Sequence, residues 1–200
     1  MQENRLRNTT FQPVSAQDHS TSSDHVKSIH RDVLARCVKG DRHAQMQIYH
    51  LYYKAMFNTA HRIVLDRHDA EDAMQEAFLT AFEQLPSLLD RSTFPAWLKR
   101  IVVNKSLNAL RARKTYDGHK EEWSGSEEAE PSFDAPYTVQ QIKEAIAQLS
   151  DGYRSIVTLY LFEGYDHEEI ADILGISSAT SRSQFNRGKQ RVKEFLMQHP

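Results

Sequence analysis

The chain reads as an all-α protein: two small helical domains joined by a flexible acidic linker, the second ending in a helix-turn-helix. Three observations predict this. Apolar residues recur at threes and fours along most of the chain, and no segment alternates as a strand does. A Glu-, Ser- and Gly-rich stretch carrying Pro131 and Pro136 interrupts that period. The last third holds the caps, the turn glycine and the one-sided charge of a helix pair suited to a DNA groove.

The elements follow in order. Residues 1–28 are polar and aperiodic, which predicts a disordered arm. From His30, the residues Val33, Leu34, Cys37 and Val38 form one stripe that Gly40 ends, with Cys37 as a small core residue. A long helix is predicted from about Ala44 to Leu65, carrying Ile48, Leu51, Tyr52, Ala55, Met56 and Ala60. Asp69 reads as the N-cap of a third helix, through Ala73, Ala77, Phe78, Ala81 and Phe82 to Leu85, with Pro86 as its stop. After a loop, Pro95 suits the first turn of a fourth helix from Phe94 to about Lys114. These make a first domain over 29–115, and 116–136 is the linker. In the second domain, 137–200, helix resumes near Thr138 with Val139, Ile142, Ile146 and Leu149. Ser150 caps the next helix, which runs through Ile156, Val157, Tyr160 and Leu161 to Gly164.

In the closing motif, Asp166 is an N-cap and Glu169 stands at N3, a capping box. Ile170, Ala171 and Leu174 give the apolar face, Gly175 the left-handed stop, and Ile176 the plug of the turn. Ser177 caps a second helix with Ser181, Phe185, Gly188 and Val192 inward. Arg182, Ser183, Asn186, Arg187 and Lys189 point outward. Cations there meet phosphates, while amides and hydroxyls meet base edges.

Charge sharpens this picture. The net charge of −2 conceals blocks of opposite sign. Between Pro95 and Tyr116 every charged residue is basic: Lys99, Arg100, Lys105, Arg111, Arg113 and Lys114. The following stretch, with Glu121, Glu122, Glu127, Glu128 and Glu130, is acidic. Two cationic surfaces around an acidic tether suit a polyanion gripped in two places. On the fourth helix Asn104 and Asn108, at i and i+4, share a face fit to hold unpaired bases. On the third, Asp72, Gln75 and Glu76 project from neighbouring faces, where a basic partner would dock.

Other function classes find little support. No apolar run reaches bilayer length and no signal-peptide core opens the chain, so a cytoplasmic chain without membrane insertion is expected. The single cysteine leaves no intramolecular disulfide and no Cys-rich zinc site. The ten histidines form no HExxH pair, and Asp66, His68, Asp69 and Glu71 fit an exposed helix start better than a metal site. Neither a P-loop nor a nucleophile elbow is present. No cofactor and no catalysis are expected.

Three motifs resemble bacterial RNA polymerase sigma factors of the extracytoplasmic-function branch, over about His30 to Phe195. DAEDAMQEAFLTAF is similar to the family's polymerase-binding helix. FPAWLKRIVVNKSLNALRARK is similar to its helix for melting and reading the minus-ten element. The run from Leu149 to Phe195 is similar to its domain for the minus-thirty-five element. The resemblance implies that Asp72, Gln75 and Glu76 face the clamp helices of the polymerase β′ subunit. It implies that Trp97, Ile101, Asn104, Asn108 and Arg111 hold the melted strand, beside a flipped-base pocket at Leu88 to Thr93. Ser178, Arg182, Ser183, Asn186 and Arg187 would meet the minus-thirty-five duplex. The implied partners are core RNA polymerase, promoter DNA and, for some members, an anti-sigma factor.

The chain also departs from the family pattern. Ser181 stands where an apolar β-branched residue is usual, which predicts a looser helix-turn-helix core. Gln184 stands where a basic residue is common, which bears on one phosphate contact, and Asn186 bears on sequence preference. Gly188 replaces the usual Ala, at a cost of about 1 kcal/mol in helix propensity. A helix-turn-helix repressor or activator, binding its operator as a dimer, is the alternative reading of the same residues.

Overall fold

The computed structural model describes residues 30–117 and 137–198. The expected N-terminal arm and nearly all of the expected linker lie outside the described residues. Helix α1 covers 30–38, and α2 (Arg42–Val64), α3 (Arg67–Gln84) and α4 (Phe94–Asp117) complete the first half. The second half holds α5 (Val139–Ala147), α6 (Asp151–Leu161), α7 (His167–Leu174) and α8 (Ser178–Gln198). No strand occurs among the described residues.

Local chemistry sets most boundaries. Gly40, at φ +80°, closes α1, and the Asp41 carboxylate then accepts from the N–H groups of His43 and Ala44 to open α2. Helix α2 ends on Leu65, a non-glycine residue at φ +60° whose N–H donates to the His61 carbonyl. The cap of α3 is Asp66, three residues before the Asp69 expected from the sequence. Asp66 is extended and its carboxylate accepts from the Asp69 N–H at 3.0 Å. That places Asp69 inside the first turn, where it pairs with Arg113 at 3.1 Å. Pro86 does not end the chain's helical course at once, because Leu85–Ser87 continue as a 3₁₀ turn. Helix α4 outlasts its expected end near Lys114 and takes in the first two residues assigned to the linker, Tyr116 and Asp117. Ser150 occupies the N-cap position of α6, but its hydroxyl makes no capping bond.

Helices α2, α3 and α4 pack on one another around Ile48, Ile63, Met74, Phe78, Leu98 and Val102. In the second half α8 lies across α5, α6 and α7. A small cluster of Ile146, Leu149 and Val157 sits there, with Phe185 and Val192 against it. The two halves are not held apart. Ile156, Leu159 and Ile170 belong to the same buried cluster as the first bundle, and α2 packs on α6. The reason lies in α6, which is apolar in two directions. Ile156 and Leu159, at i and i+3, serve the first half, while Val157 serves the second. Among the described residues no helix is long and apolar enough to cross a membrane.

Candidate nucleic-acid and partner interfaces

Helix α3 turns Ala70, Ala73, Met74, Ala77, Phe78 and Ala81 into the core. That stripe leaves Asp72, Gln75 and Glu76 together on the exposed side. Glu76 is not an isolated charge, since Lys105 of α4 reaches it at 3.3 Å. Leu79 continues the same face one turn on and is 65% exposed. Sequence reasoning passed over Leu79. The available signal was an apolar residue one turn beyond Gln75 and Glu76, off the buried stripe.

The start of α4 is fixed by a tightly bonded loop. Asp90 accepts from the Ser92 N–H at 2.9 Å and from the Ser92 hydroxyl at 2.7 Å, and Thr93 Oγ1 donates to the Asp90 carbonyl. The Ser92 hydroxyl, then its N–H, hold the Asp90 carboxyl below the ordinary aspartate range. Leu89 at the loop tip is fully exposed. Phe94 is fully buried and touches the rings of Tyr52 and Trp97, at centroid separations of 5.6 and 5.9 Å. Trp97 is thereby held half-buried at the edge of the core.

From Trp97 the predicted residues run along α4 as Ile101, Asn104 and Asn108, at i+4, i+7 and i+11 on one face. Trp97 and Ile101 are half-buried, and Asn104 and Asn108 are exposed. Arg111 donates to the Asn108 side-chain oxygen at 3.1 Å, so it stands on that face as well. Three cations of the basic run of α4 are tied to other parts of the chain. Lys99, Lys105 and Arg113 form ion pairs with Glu163, Glu76 and Asp69, while Arg111 stays beside the asparagines. The cationic surface read from the sequence is therefore smaller than its charge count suggests.

In the helix-turn-helix both capping signals form. Asp166 accepts from the Glu168 and Glu169 N–H groups, and Glu169 accepts from the Asp166 N–H at 2.9 Å. Gly175, at φ +70°, ends α7 and donates to the Ala171 carbonyl. Ser177 Oγ accepts from the Thr180 N–H at 3.0 Å. Arg182, Ser183, Asn186 and Arg187 are exposed and Ser178 is half-buried, so the predicted DNA face is presented to solvent. Ser183 donates its hydroxyl proton to the Thr180 carbonyl, which leaves the oxygen lone pairs facing outward.

Two expected weaknesses of this motif have structural answers. Ser181 is fully buried, and its hydroxyl bonds to His167 Nδ1 at 2.9 Å. The His167 ring stacks on Tyr160 at 4.7 Å and meets Phe185 at 5.6 Å, the three rings forming a cluster. The core is thus polar at this point but satisfied, which corrects the expectation of looseness. Gly188 is where α8 meets α6. A Cβ there would stand 2.8 Å from Val157 Cγ2, so close helix approach explains the glycine.

Fold and surfaces together define a helical chain with a helix-turn-helix, a basic helix α4 and a separate acidic face on α3. Residues 48–116 match the family model "Sigma-70 region 2", and 139–192 match "Sigma-70, region 4". The chain belongs to the sigma-70 family, on its extracytoplasmic-function branch. It is 28% identical over 174 residues to the ECF RNA polymerase sigma factor SigW of Bacillus subtilis, covering 79% of this chain and 91% of that one. It is 29% identical over 150 residues to the ECF RNA polymerase sigma factor SigE of Mycolicibacterium smegmatis. That match covers 72% of this chain and only 58% of the longer protein. The sigma factor RpoE of Bartonella quintana, solved with the anti-sigma factor NepR, shares 26% identity at a TM-score of 0.54. The likeness covers 78% of this chain and 98% of that one. CnrH, solved with the cytosolic domain of CnrY, has the same fold at 20% identity and a TM-score of 0.53, over 86% of this chain and 99% of that one.

Proposed function

We propose that this chain is a sigma factor that binds core RNA polymerase and directs promoter recognition, DNA melting and transcription initiation. It acts by binding and carries out no catalysis of its own. The observation that carries the reading is the pairing, in one chain, of a helix-turn-helix with exposed Arg182, Ser183, Asn186 and Arg187 and an α4 face bearing Asn104 and Asn108. A duplex reader needs only the first. The second suits bases already out of the stack, which amides and ring edges hold without a groove.

In this reading Ser178, Arg182, Ser183, Asn186 and Arg187 grip the minus-thirty-five duplex through phosphates and base edges. Trp97, Ile101, Asn104, Asn108 and Arg111 hold the melted minus-ten strand. Asp72, Gln75 and Glu76 dock on the β′ clamp helices, and Leu79 adds an apolar contact to that face. An anti-sigma factor is a further expected partner, and the cytoplasm is the site of action.

The test is reconstitution with bacterial core polymerase on genomic fragments, with transcript ends mapped. Promoter-specific starts that need this chain are expected. Operator binding by the chain alone, with no polymerase captured and no transcript made, would instead favour a repressor. Asn104→Ala should lower strand opening several-fold, read by permanganate reactivity, while polymerase affinity stays constant. Arg187→Ala should weaken duplex binding and lower the salt slope by about 1.

A further inference from the structure

A cleft between the end of α2 and helices α5 and α6 serves none of the roles above. It measures about 270 Å³, and no residue proposed to meet DNA or polymerase lines it. At about 30 Å³ per water it has room for roughly nine waters, or for one organic molecule of about as many heavy atoms. Helix α6 lends it Arg154, Thr158 and Phe162, spaced by four, so one face of that helix forms the floor. Lys143, Glu144 and Ala147 come from one face of α5, and His61, Arg62 and Leu65 from the end of α2.

Two of these residues cost the fold something. Thr158 is fully buried, yet its hydroxyl has no hydrogen-bond partner among the described residues. Other buried helical hydroxyls of this chain bond to the carbonyl four residues back. Ser106 donates to Val102 at 2.8 Å and Ser155 to Asp151 at 2.6 Å. Valine has the shape of threonine and would spare the chain an unpaired buried donor. Leu65 stands at φ +60°, where glycine or asparagine sits more easily than leucine. It is 38% exposed, so full burial in the core does not offset that strain. Both residues line the cleft.

The other side chains define what would fill it. Leu65, Ala147 and Phe162 offer apolar surface. Arg62 and Arg154 are already paired, with Glu163 at 2.9 Å and with Asp151. Lys143 and the ring nitrogens of His61 have no hydrogen-bond or ionic partner among the described residues. The acid among the lining residues, Glu144, already accepts from Gln140 at 2.8 Å. Free donors therefore outnumber free acceptors, which suits an occupant rich in acceptors with an apolar body.

We propose that this cleft binds a small organic acid. Its carboxylate meets Lys143 and His61 on the exposed side, its body lies on Leu65, Ala147 and Phe162, and a polar group at its far end bonds to Thr158. The site goes beyond the promoter reading and does not depend on it.

The probe is para-hydroxybenzoate, titrated into the full-length chain without polymerase while the backbone amides are followed by nuclear magnetic resonance. A dissociation constant of about 1 mM is expected for so small a ligand, with shifts centred on Leu65, Lys143 and Thr158. Benzoate lacks the hydroxyl for Thr158 and should bind about fivefold more weakly. Inorganic phosphate, which has charge but no apolar body, should not bind. Thr158→Val should reduce the affinity for para-hydroxybenzoate to that of benzoate while raising the melting temperature, a pairing that a purely structural role would not give. Lys143→Met should weaken both acids about fivefold. Lys54→Met, an equal loss of charge on exposed α2 surface outside the cleft, should change nothing. If the cleft takes only water, para-hydroxybenzoate will cause no saturable shifts there, and the site is overturned. It is overturned equally if the affinity survives both Thr158→Val and Lys143→Met, or if phosphate binds there and the acids do not.

Discussion

Helix α4 stands on a continuous layer of apolar side chains, with Leu98, Val102 and Val103 fully buried and Leu107 and Leu110 nearly so. Helix α8 is seated differently. The residues it buries are Ser181, Gly188, Lys193 and Leu196, of which only Leu196 is a large apolar side chain. The first helix is held by area removed from water, a force without direction that tolerates small shifts. The second adds to half-buried Phe185 and Val192 one hydrogen bond, Ser181 to His167, and one close approach at Gly188, which are directional and tolerate little. The two helices, both proposed to meet nucleic acid, should therefore fail in different ways.

Truncation of the α4 support should have the largest effect. Leu98→Ala opens a cavity in the buried layer under α4 and should cost roughly 2–5 kcal/mol, read as a lower denaturant midpoint. Melting followed at Trp97 should shift more than melting followed at a probe on α8. Equal shifts would mean that the shared core makes the two halves one cooperative unit. Gly188→Ala comes next. Helix propensity alone favours alanine by about 1 kcal/mol, but the new Cβ meets Val157 at 2.8 Å. Overpacking of this kind costs about 1–3 kcal/mol, so a net loss is expected and a net gain in melting temperature would show that α6 and α8 can part freely. Smallest is Ser181→Ala, which leaves His167 Nδ1 without its partner and should cost about 1 kcal/mol. A double-mutant cycle with His167→Phe should show that most of this cost vanishes once the imidazole is gone.

The same contrast separates what could be read from the sequence from what could not. Features fixed by neighbours in the chain were legible: the Asp166 and Glu169 box, Gly175, the Ser177 cap and the exposed row on α8. Choosing between Asp66 and Asp69 as the α3 cap was harder, because both precede the same apolar stripe. Only the turn at Leu65 decides it. The α4 cations looked alike in sequence, yet Lys99, Lys105 and Arg113 have partners on distant segments of the chain and Arg111 lies beside Asn108. Glu163 was missed for the same reason. Its partners Thr59, Arg62 and Lys99 lie from 64 to 104 residues away, and no local period reports them. Ser181 and Gly188 read as defects because the compensation comes from His167 and Val157, each on a different helix.

The contact at Gly188 bears on any attempt to re-aim this chain at new DNA. With Val157 of α6 seated directly on the α8 backbone at Gly188, helix α8 has little freedom to rotate about its own axis relative to the rest of its half. If the proposed reading holds, the outward residues Arg182, Ser183, Asn186 and Arg187 are exchangeable letters on a rigid reel. A new set grafted at those four positions should face the groove at the same angle. A graft that also carries in a relative's inward residues would turn the reel, and the new letters would miss their bases.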